Sequence, residues 1–310
     1  AAEAQDIECD VASVATAIPS ARIMGYGPLI AGGVRGVLAD GRPIEGFIAD
    51  GGYDIVHVHG NNGLAFRFAH LAAKVGAKAV VHSHNSSFGG GARGAKAVFT
   101  GTERLLHSKD CAGLLACSRA AGDFLFGGGP YRVAPNGVDV SRFAFDARKR
   151  MSVRRGLGIP VDAPVLGFAA SFVDAKNPLF ALKVFESFAE HRPDAYFIAC
   201  GDGELLEAFK AEACDLSEAG RCICAGRVPD IERYYCAMDA LIAPSRYEGL
   251  PINLIEAQAS GLVVVMSDSV TDEAVVIPEL CERLPLGDGV GGWVAAVERA
   301  LGGASRRSAG

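Results

Sequence analysis

The stretch ALIAPSRYEGLPINLIEAQASGLVVVM, residues 240–266, has the pattern of a strand, a loop, a helix and a second strand. Its first four residues are apolar, and so are 262–266 at its end, whereas apolar residues recur between them with a helical period. Gly261 is suited to the end of a helix, because glycine readily adopts the left-handed conformation found there. Short apolar strands joined by a helix are typical of a parallel sheet covered on both faces. We therefore predict a βαβ unit at 240–266.

The same alternation continues on both sides of this unit. In the C-terminal half it predicts strands at 165–169, 195–199, 221–225, 240–243 and 262–266, with helices at 178–190, 204–213, 230–237 and 251–259. In the N-terminal half it predicts strands at 54–59, 78–82, 112–117 and 131–134 and a helix at 63–75, whose apolar stripe consists of Leu64, Phe68, Leu71 and Val75. Strands that alternate with amphipathic helices indicate stacked βα units and an α/β fold.

The length and the turn signals predict two domains. A chain of 310 residues exceeds the size at which single cores stop growing. The stretch PNGVD at 135–139 interrupts the alternation with turn signals, so we place the boundary between domains of residues 1–140 and 141–310. Residues 1–50 contain one strand candidate, near 7–14. The basic residues between 148 and 155 could contact anionic lipid or an acceptor phosphate, but we expect them to form a solvated helix face.

Composition argues against several classes of protein. Half of the residues are hydrophobic and the formal net charge is −6, which argues against binding nucleic acid through its phosphates. The nine cysteines include no C-x-x-C pair, which indicates a reducing compartment, and Cys222 and Cys224 are expected to pack in the core rather than bind a metal. No apolar run approaches the roughly 18 residues that span a bilayer, and the first residues lack the pattern of a secretion signal. We expect a soluble cytoplasmic protein that is at most peripheral to the inner face of a membrane.

The loop at 244–251 is the strongest candidate for a binding site. Doubly wound sheets bind ligands at the carboxyl ends of their strands, and the following helix start offers backbone N–H groups to an anion such as a diphosphate. Gly249 allows the backbone to approach a ligand closely. Glu248 and Glu256 bracket this position, and carboxylates accept hydrogen bonds from the vicinal hydroxyls of a sugar. The structural alternative is that Glu256 pairs with a surface cation and Glu248 caps the helix.

The residues around this loop resemble glycosyltransferase family 4, in particular its branch for capsular polysaccharide and exopolysaccharide synthesis. Glu248 and Glu256 reproduce the E-x7-E signature of retaining glycosyltransferases. Other segments that match in order and spacing are DIVHVHG at 54–60, HSHN at 82–85, PNGVD at 135–139, KNP at 176–178 and GDGE at 201–204. The resemblance covers about residues 54 to 300 and implies the GT-B fold, in which two Rossmann-like doubly wound domains face a cleft. The N-terminal domain would then lie on the acceptor side, and the C-terminal domain would bind the nucleotide sugar.

The resemblance also implies roles for individual residues. Glu248 would hold hydroxyls of the donor sugar, Glu256 the ribose diol and Lys176 the diphosphate, with His84 across the cleft near the reacting sugar. Lys176 follows a predicted strand and precedes a helix, where a cation would stabilise a leaving nucleoside diphosphate. A histidine at a strand end, such as His84, is as often a packed group as a functional one. The remaining predicted donor-binding residues are Gly249, Leu250, Gly201, Ser171, Arg227 and Pro229.

Two features depart from the family pattern. Family members usually carry an arginine five residues before the lysine, and this chain has Ser171 there. Either Arg227 or Arg246 replaces the missing cation, or the enzyme is slow. Residues 1–50 lack the family's opening strand and glycine-rich loop, which indicates a truncated or divergent N-terminus.

We predict that the protein uses no metal and no cofactor. Five histidines are close in sequence, and two of them, His57 and His59, share a strand face. No carboxylate or cysteine near them completes a ligand set, and the sequence has no D-x-D pair. The resemblance adds that GT-B enzymes generally use helix dipoles and cations in place of a divalent ion.

The resemblance therefore predicts a retaining, metal-independent hexosyltransferase. It would move a hexosyl unit from a UDP- or GDP-sugar to a glycan or a lipid-linked oligosaccharide in surface polysaccharide synthesis. The expected route is front-face attack without a protein nucleophile, with domain closure bringing His84 to the donor. Two other hypotheses stay open: a catalytically impaired nucleotide-sugar-binding protein and a GT-B-type nucleotide-sugar epimerase.

Overall fold

The computed structural model describes residues 10–13, 22–25, 40–88 and 93–303. The first two of these segments are short strands, β1 (Asp10–Ser13) and β2 (Arg22–Gly25), which pair in parallel. The strand predicted near 7–14 is therefore observed in part, and its other residues lie outside the described residues. The same holds for most of the segment 1–50, so the predicted loss of the family's opening elements stays a prediction.

The described residues form two compact units. The first unit contains the described residues up to Ser83, together with 93–115 and 125–132. The second unit contains 84–88, 116–124 and 133–303. Because two short segments of the N-terminal half join the second unit, the units are not separated by one cut in the sequence. The boundary at 140–141 stays a prediction.

A four-stranded sheet supports the first unit. Its strands, in spatial order, are β3 (Ile55–His59), β4 (Lys78–Ser83), β5 (Cys111–Ala116) and β6 (Arg132–Val133). The helices of this half are α1 (Arg42–Gly51), α2 (Leu64–Lys74), α3 (Arg93–His107) and α4 (Arg119–Phe126). The helix predicted at 63–75 is confirmed as α2, and of its predicted stripe Leu71 is buried whereas Leu64, Phe68 and Val75 are half-buried. Leu71, Phe66 and three alanines form the buried face, and the small alanine side chains let the helix lie close to the sheet.

The second unit contains a six-stranded sheet whose observed strand pairs are all parallel. Its strands are β7 (Val165–Ala169), β8 (Tyr196–Cys200), β9 (Cys222–Gly226), β10 (Ala240–Ala243), β11 (Val263–Ser267) and β12 (Cys281–Leu284). The spatial order is β12-β11-β10-β7-β8-β9, so the sheet grows outward from β7 in one direction and from β10 in the other. This is the topology of a doubly wound domain, as predicted.

Helices cover the sheet of the second unit. They are α5 (Val140–Phe143), α6 (Ala147–Gly156), α7 (Pro178–His191), α8 (Leu206–Glu212), α9 (Cys214–Glu218), α10 (Ile231–Ala237), α11 (Ile252–Ala259) and α12 (Gly289–Gly303). Every strand and helix predicted between 165 and 266 is present, with ends that differ by at most two residues. In the core, Phe185 stacks on Phe197 with ring centroids 5.0 Å apart. Trp293 of α12, the only tryptophan of the chain, is fully buried and meets the ring of Phe180 edge-on.

The basic segment 148–155 is a solvated helix face only in part, because Arg148 and Arg155 are exposed whereas Arg154 is not. The segment lies in α6, where Arg154 is fully buried. Arg154 and Arg150 donate to the two carboxylate oxygens of Asp239, at 2.8 and 2.7 Å. The same carboxylate accepts a hydrogen bond from the backbone N–H of Val165 at 2.8 Å. The arginines therefore fasten α6 to the start of β7 and to the residue before β10. Among the described residues no helix combines the length and the apolar composition needed to cross a membrane.

Candidate functional site

The carboxyl ends of β7 and β10 are neighbours at the point where the strand order reverses. The loop after β7 carries Ser171 and Lys176, and the loop after β10 carries Glu248. The second loop leads directly into α11, which carries Glu256. Open parallel sheets bind their ligands in the crevice at such a reversal, because the two loops there diverge to opposite faces of the sheet. The predicted site residues of both loops therefore lie where a ligand is expected.

Lys176 and Glu248 form an ion pair, in which the Lys176 ammonium donates to Glu248 Oε1. The same oxygen accepts a hydrogen bond from the Ser245 hydroxyl at 2.8 Å. The Glu248 side chain is 9% exposed and that of Lys176 is 21% exposed, so water screens the pair only in part. The first turn of α11 has no side-chain cap. Glu248 is thus held by Lys176 and Ser245, and the alternative in which it caps the helix is wrong.

Glu256 is held by a buried tyrosine. The Tyr235 hydroxyl, from α10, donates to Glu256 Oε2 at 3.2 Å. Burial raises the pKa of Glu256 above its usual value, while the Tyr235 hydrogen bond and the charge of Arg142 lower it and Glu232 raises it. Arg142, the surface cation near this carboxylate, forms its ion pair with Glu232 at 3.0 Å. The hydrogen-bond partner of Glu256 is therefore a core side chain and not a surface cation.

The loop after β10 is fastened to the segments that follow β4 and β5, which belong to the same compact unit. The Ser86 hydroxyl donates to the backbone carbonyl of Glu248. The Ser118 hydroxyl donates to the backbone carbonyl of Gly249 at 3.1 Å. A β-carbon on Gly249 would lie 2.2 Å from the backbone oxygen of His84, so only glycine fits against this segment. The structure thus brings the backbone of His84 to the loop, and the approach of Gly249 to a ligand stays a prediction.

Gly249→Ala is expected to destabilise the second unit by about 1–3 kcal/mol, because the added methyl group would overlap the His84 backbone. Denaturant unfolding, followed by the fluorescence of Trp293, measures this loss. Gly137→Ala is the matched control, since no atom lies within 4 Å of the added β-carbon there. Equal free energies of unfolding for the two variants would contradict the role assigned to the contact.

Arg246 contacts the residues on both sides of Lys176 and forms an ion pair with Asp174 at 3.3 Å. Ser171 is exposed just after the end of β7. The backbone N–H of Arg246 donates at 2.7 Å to the carbonyl of the residue before Lys176, and its guanidinium donates at 3.2 Å to Asn177 Oδ1. Arg227 is exposed after β9, which is two strands away from β7. Of the two candidate replacements, the structure favours Arg246.

The other predicted donor-binding residues lie at the same edge of the sheet or in the core beneath it. Gly201 follows β8 with a φ of +142°, and a β-carbon there would lie 1.9 Å from the carbonyl oxygen of Ala170. Glycine is therefore needed at this position for contact with the loop after β7. Leu250 is buried, and Pro229 is exposed, with its carbonyl accepting a 3.4 Å hydrogen bond from Arg142. Their contacts with a donor stay predictions.

Two residues that position the glutamates were not predicted. Ser245 precedes Glu248 by three residues in one loop, a spacing at which a local hydrogen bond could have been anticipated. Tyr235 reaches Glu256 from another helix, 21 residues earlier in the chain. No local pattern indicates that pair, because it depends on how α10 and α11 lie on the sheet.

Two protein families match the chain. Residues 149–280 match the family described as glycosyl transferases group 1, and residues 3–142 match the family described as glycosyltransferase family 4. The two matches do not overlap, and together they reach from near the first residue to the residue before β12 of the six-stranded sheet.

Two relatives are named as glycosyltransferases. A Bacillus subtilis protein named as the glycosyltransferase EpsF is 31% identical over 261 residues, which are 81% of this chain and 67% of the relative. The UDP-Gal:alpha-D-GlcNAc-diphosphoundecaprenol alpha-1,3-galactosyltransferase of Escherichia coli is 29% identical over 228 residues, which are 70% of this chain and 58% of the relative. The match thus spans about two thirds of the length of the first relative and less of the second.

A solved structure supports the fold class. WaaG, a glycosyltransferase involved in lipopolysaccharide biosynthesis, superposes with a TM-score of 0.76 over 98% of this chain and 85% of its own. At 15% sequence identity the similarity is one of fold. The predicted GT-B fold, built from two Rossmann-like domains, is therefore confirmed.

Proposed function

The chain belongs to glycosyltransferase family 4, and from this premise we propose that it transfers a hexosyl unit from a UDP- or GDP-sugar to a glycan or lipid-linked acceptor. The transfer retains the anomeric configuration and requires no metal ion. The observation that carries the proposal is the ion pair between Lys176 and Glu248 at the carboxyl ends of β7 and β10. It places a cation and an acceptor of sugar hydroxyls at the point where doubly wound sheets bind nucleotides.

Donor binding exchanges this ion pair for two contacts with the donor. The Lys176 ammonium moves to the diphosphate, together with the backbone N–H groups at the start of α11. Glu248 then accepts hydrogen bonds from the sugar, and Glu256 accepts those of the ribose diol. As the glycosidic bond breaks, the positive charge of Lys176 stabilises the leaving nucleoside diphosphate. A leaving phosphate oxygen takes the proton of the acceptor hydroxyl, so no protein nucleophile is required.

The names of the relatives support a UDP-linked donor and a lipid-linked acceptor, since the Escherichia coli relative is named for both. Peripheral association with the inner face of a membrane fits such an acceptor. On α3, Val98 and Leu105 are 71% and 79% exposed and lie seven residues apart, which places them on one face of the helix. Exposed Arg93 and Lys109 lie near the two ends of that helix and suit an anionic surface. Leu105→Glu should reduce co-sedimentation of the chain with anionic vesicles. Unchanged co-sedimentation would contradict this role for α3.

A screen of nucleotide sugars tests the proposed function. Thermal shifts of the chain with UDP- and GDP-linked hexoses should identify a donor, because a ligand at 100 times its Kd stabilises the folded state by about 2.7 kcal/mol. The donor found in this way is then prepared with a labelled sugar and incubated with the chain and lipid-linked acceptors in the presence of EDTA. Transfer of label under these conditions is the expected result. The proposal would be contradicted if none of the nucleotide sugars stabilised the chain.

The same assay separates the two rival hypotheses. A catalytically impaired binding protein, which the loss of the arginine at Ser171 favours, would bind a donor and transfer nothing. An epimerase would convert the donor in the absence of an acceptor. Transfer that requires the acceptor excludes both.

Replacement of Arg246 by alanine is expected to reduce kcat by about tenfold to a hundredfold. Its guanidinium contacts Asn177, the residue after Lys176, and a positive charge there would stabilise the leaving diphosphate. Arg227→Ala, which removes an exposed cation after β9, is the matched comparison, with an expected change of about threefold or less. The two variants are compared by steady-state transfer rates. The opposite ranking would identify Arg227 as the replacement cation.

Tyr235→Phe is expected to move the acidic limb of the kcat/KM profile to higher pH. Glu256 accepts the ribose hydroxyls in its ionised form, and the lost hydrogen bond from Tyr235 would raise its pKa beyond the increase that burial already causes. Below that pKa the carboxyl is protonated, so kcat/KM should fall by about tenfold at acidic pH and less at neutral pH. Tyr234→Phe, on the same helix, is the control. A pH profile identical to that of the unaltered chain would contradict the role of Tyr235.

A further inference from the structure

Three histidines of the first unit lie side by side on neighbouring strands. His57 and His59 are two residues apart on β3, so their side chains point to the same face of the sheet. The parallel register places His59 directly opposite His82 of β4. The ring centroid of His57 lies 4.3 Å from that of His59 and 5.3 Å from that of His82. These distances follow from strand pairing and do not depend on a loop.

The three rings offer the ligand set of a metal ion. One nitrogen of each imidazole lies within 4.8 Å of the corresponding nitrogens of the other two. A tetrahedral Zn²⁺ with Zn–N bonds of about 2.0–2.1 Å needs such nitrogens roughly 3.4 Å apart, a change that small side-chain rotations supply. His57 and His59 are exposed, which gives an ion access, whereas His82 is buried and holds one side of the set in place.

The protein also favours the neutral imidazole that a metal ion requires. Desolvation lowers the pKa of His57. Desolvation by the surrounding protein atoms lowers the pKa of His59 to about 4, although part of its side chain is accessible to solvent. The charges of His57 and His82 lower it further. Protons compete with metal ions for imidazole nitrogens. The lowered pKa values of His57 and His59 therefore weaken this competition.

We propose that His57, His59 and His82 bind a divalent first-row transition-metal ion such as Zn²⁺. Three imidazoles with water as the fourth ligand are an established Zn²⁺ environment, and imidazole also suits Cu²⁺ and Ni²⁺. The sequence did not predict this site because the third ligand comes from β4 and only strand register brings it to β3. The ion would join two parallel strands, and the proposed transfer does not use it.

A second group of possible ligands serves as an internal control. His70, His107 and Asp110 also lie close enough to share an ion. Here His70 Nδ1 is 2.8 Å from Asp110 Oδ2, and the guanidinium of Arg67 is 3.2 Å from His107 Nε2. A fixed positive charge at that distance repels a metal ion, so these side chains form a network that joins α2 to the end of α3.

Calorimetric titration of the metal-free chain with Zn²⁺, at pH 6 and pH 7.5, tests the proposal. We expect one ion per chain, and we expect binding at least about tenfold weaker in His59→Ala and in His57→Ala, because each loses a ligand. Both positions are exposed, so the variants should fold, which thermal unfolding without metal checks. His70→Ala should bind Zn²⁺ as the unaltered chain does.

Substitution of Co²⁺ for Zn²⁺ identifies the ligand atoms. Imidazole ligation gives visible absorption without the intense charge-transfer band of a thiolate ligand, which separates this site from the cysteines. The proposal is overturned by any of three results: no ion bound to the unaltered chain, unchanged affinity in both His57→Ala and His59→Ala, or a thiolate band that persists in those variants. Loss of binding in His70→Ala alone would assign the ion to the second group instead.

Discussion

Lys176→Met is expected to reduce kcat for sugar transfer by at least about a hundredfold while the chain stays folded. The ammonium of Lys176 pairs with Glu248, the proposed hydrogen-bond acceptor for the donor sugar, at the carboxyl ends of β7 and β10. Its charge is needed most when negative charge accumulates on the leaving diphosphate, so the loss should appear in kcat more than in KM. A hundredfold loss corresponds to about 2.7 kcal/mol of transition-state stabilisation. Methionine keeps the length and apolar stem of the side chain, which limits any effect on packing.

Two further variants make this result interpretable. Glu248→Gln removes the partner charge and is expected to reduce turnover to a similar degree, because the sugar hydroxyls lose their anionic acceptor. Lys183→Ala removes an exposed lysine on α7 in the same unit and should leave turnover within about twofold. Rates of labelled-sugar transfer and thermal unfolding are measured for all three. Unchanged kinetics in both Lys176→Met and Glu248→Gln would contradict the assignment of this site to sugar transfer.

The sequence predicted the second sheet well because its signals are local. The strand at 165–169 and the strand at 240–243 have the observed ends, since each is a short apolar run between turn residues. Helix ends marked by Pro178 and Gly261 were equally clear. The position of the site followed from the same information, because loops after parallel strands gather at one edge of the sheet.

Contacts between distant segments could not be predicted in this way. Tyr235 reaches Glu256 from another helix, and the glycine at 249 fits the backbone of a segment more than 160 positions earlier. The resemblance to a family indicated which residues face the donor, but it did not say what holds them when no donor is bound. The ion pair of Lys176 with Glu248 is such a contact, and it appears only once the loops after β7 and β10 are side by side.

The largest effect on stability is expected from Arg154→Ala, which should lower the free energy of unfolding of the second unit by about 3–5 kcal/mol. Arg154 is 1% exposed, pairs with Asp239, and donates to the backbone carbonyls of Ala237 and Ala163. Burial lowers the pKa of its guanidinium, but the nearby carboxylate opposes this, so the side chain stays charged. Its removal leaves Asp239 with one cation instead of two, takes the Arg154 hydrogen bond from the Ala163 carbonyl, and leaves the Ala237 carbonyl with the 3.4 Å bond from Arg150.

Arg155→Ala provides the matched control for this prediction. Arg155 is the next residue of α6, belongs to the same basic run and is exposed, so its replacement should change the free energy of unfolding by less than about 0.5 kcal/mol. Denaturant unfolding followed by Trp293 fluorescence reports on both variants, because Trp293 lies in the core of the second unit. Two adjacent arginines that differ this much would show that helical position, and not charge pattern, decides which of them the fold requires. Small and equal changes in the free energy of unfolding for the two variants would instead support the solvated basic face that the sequence predicted.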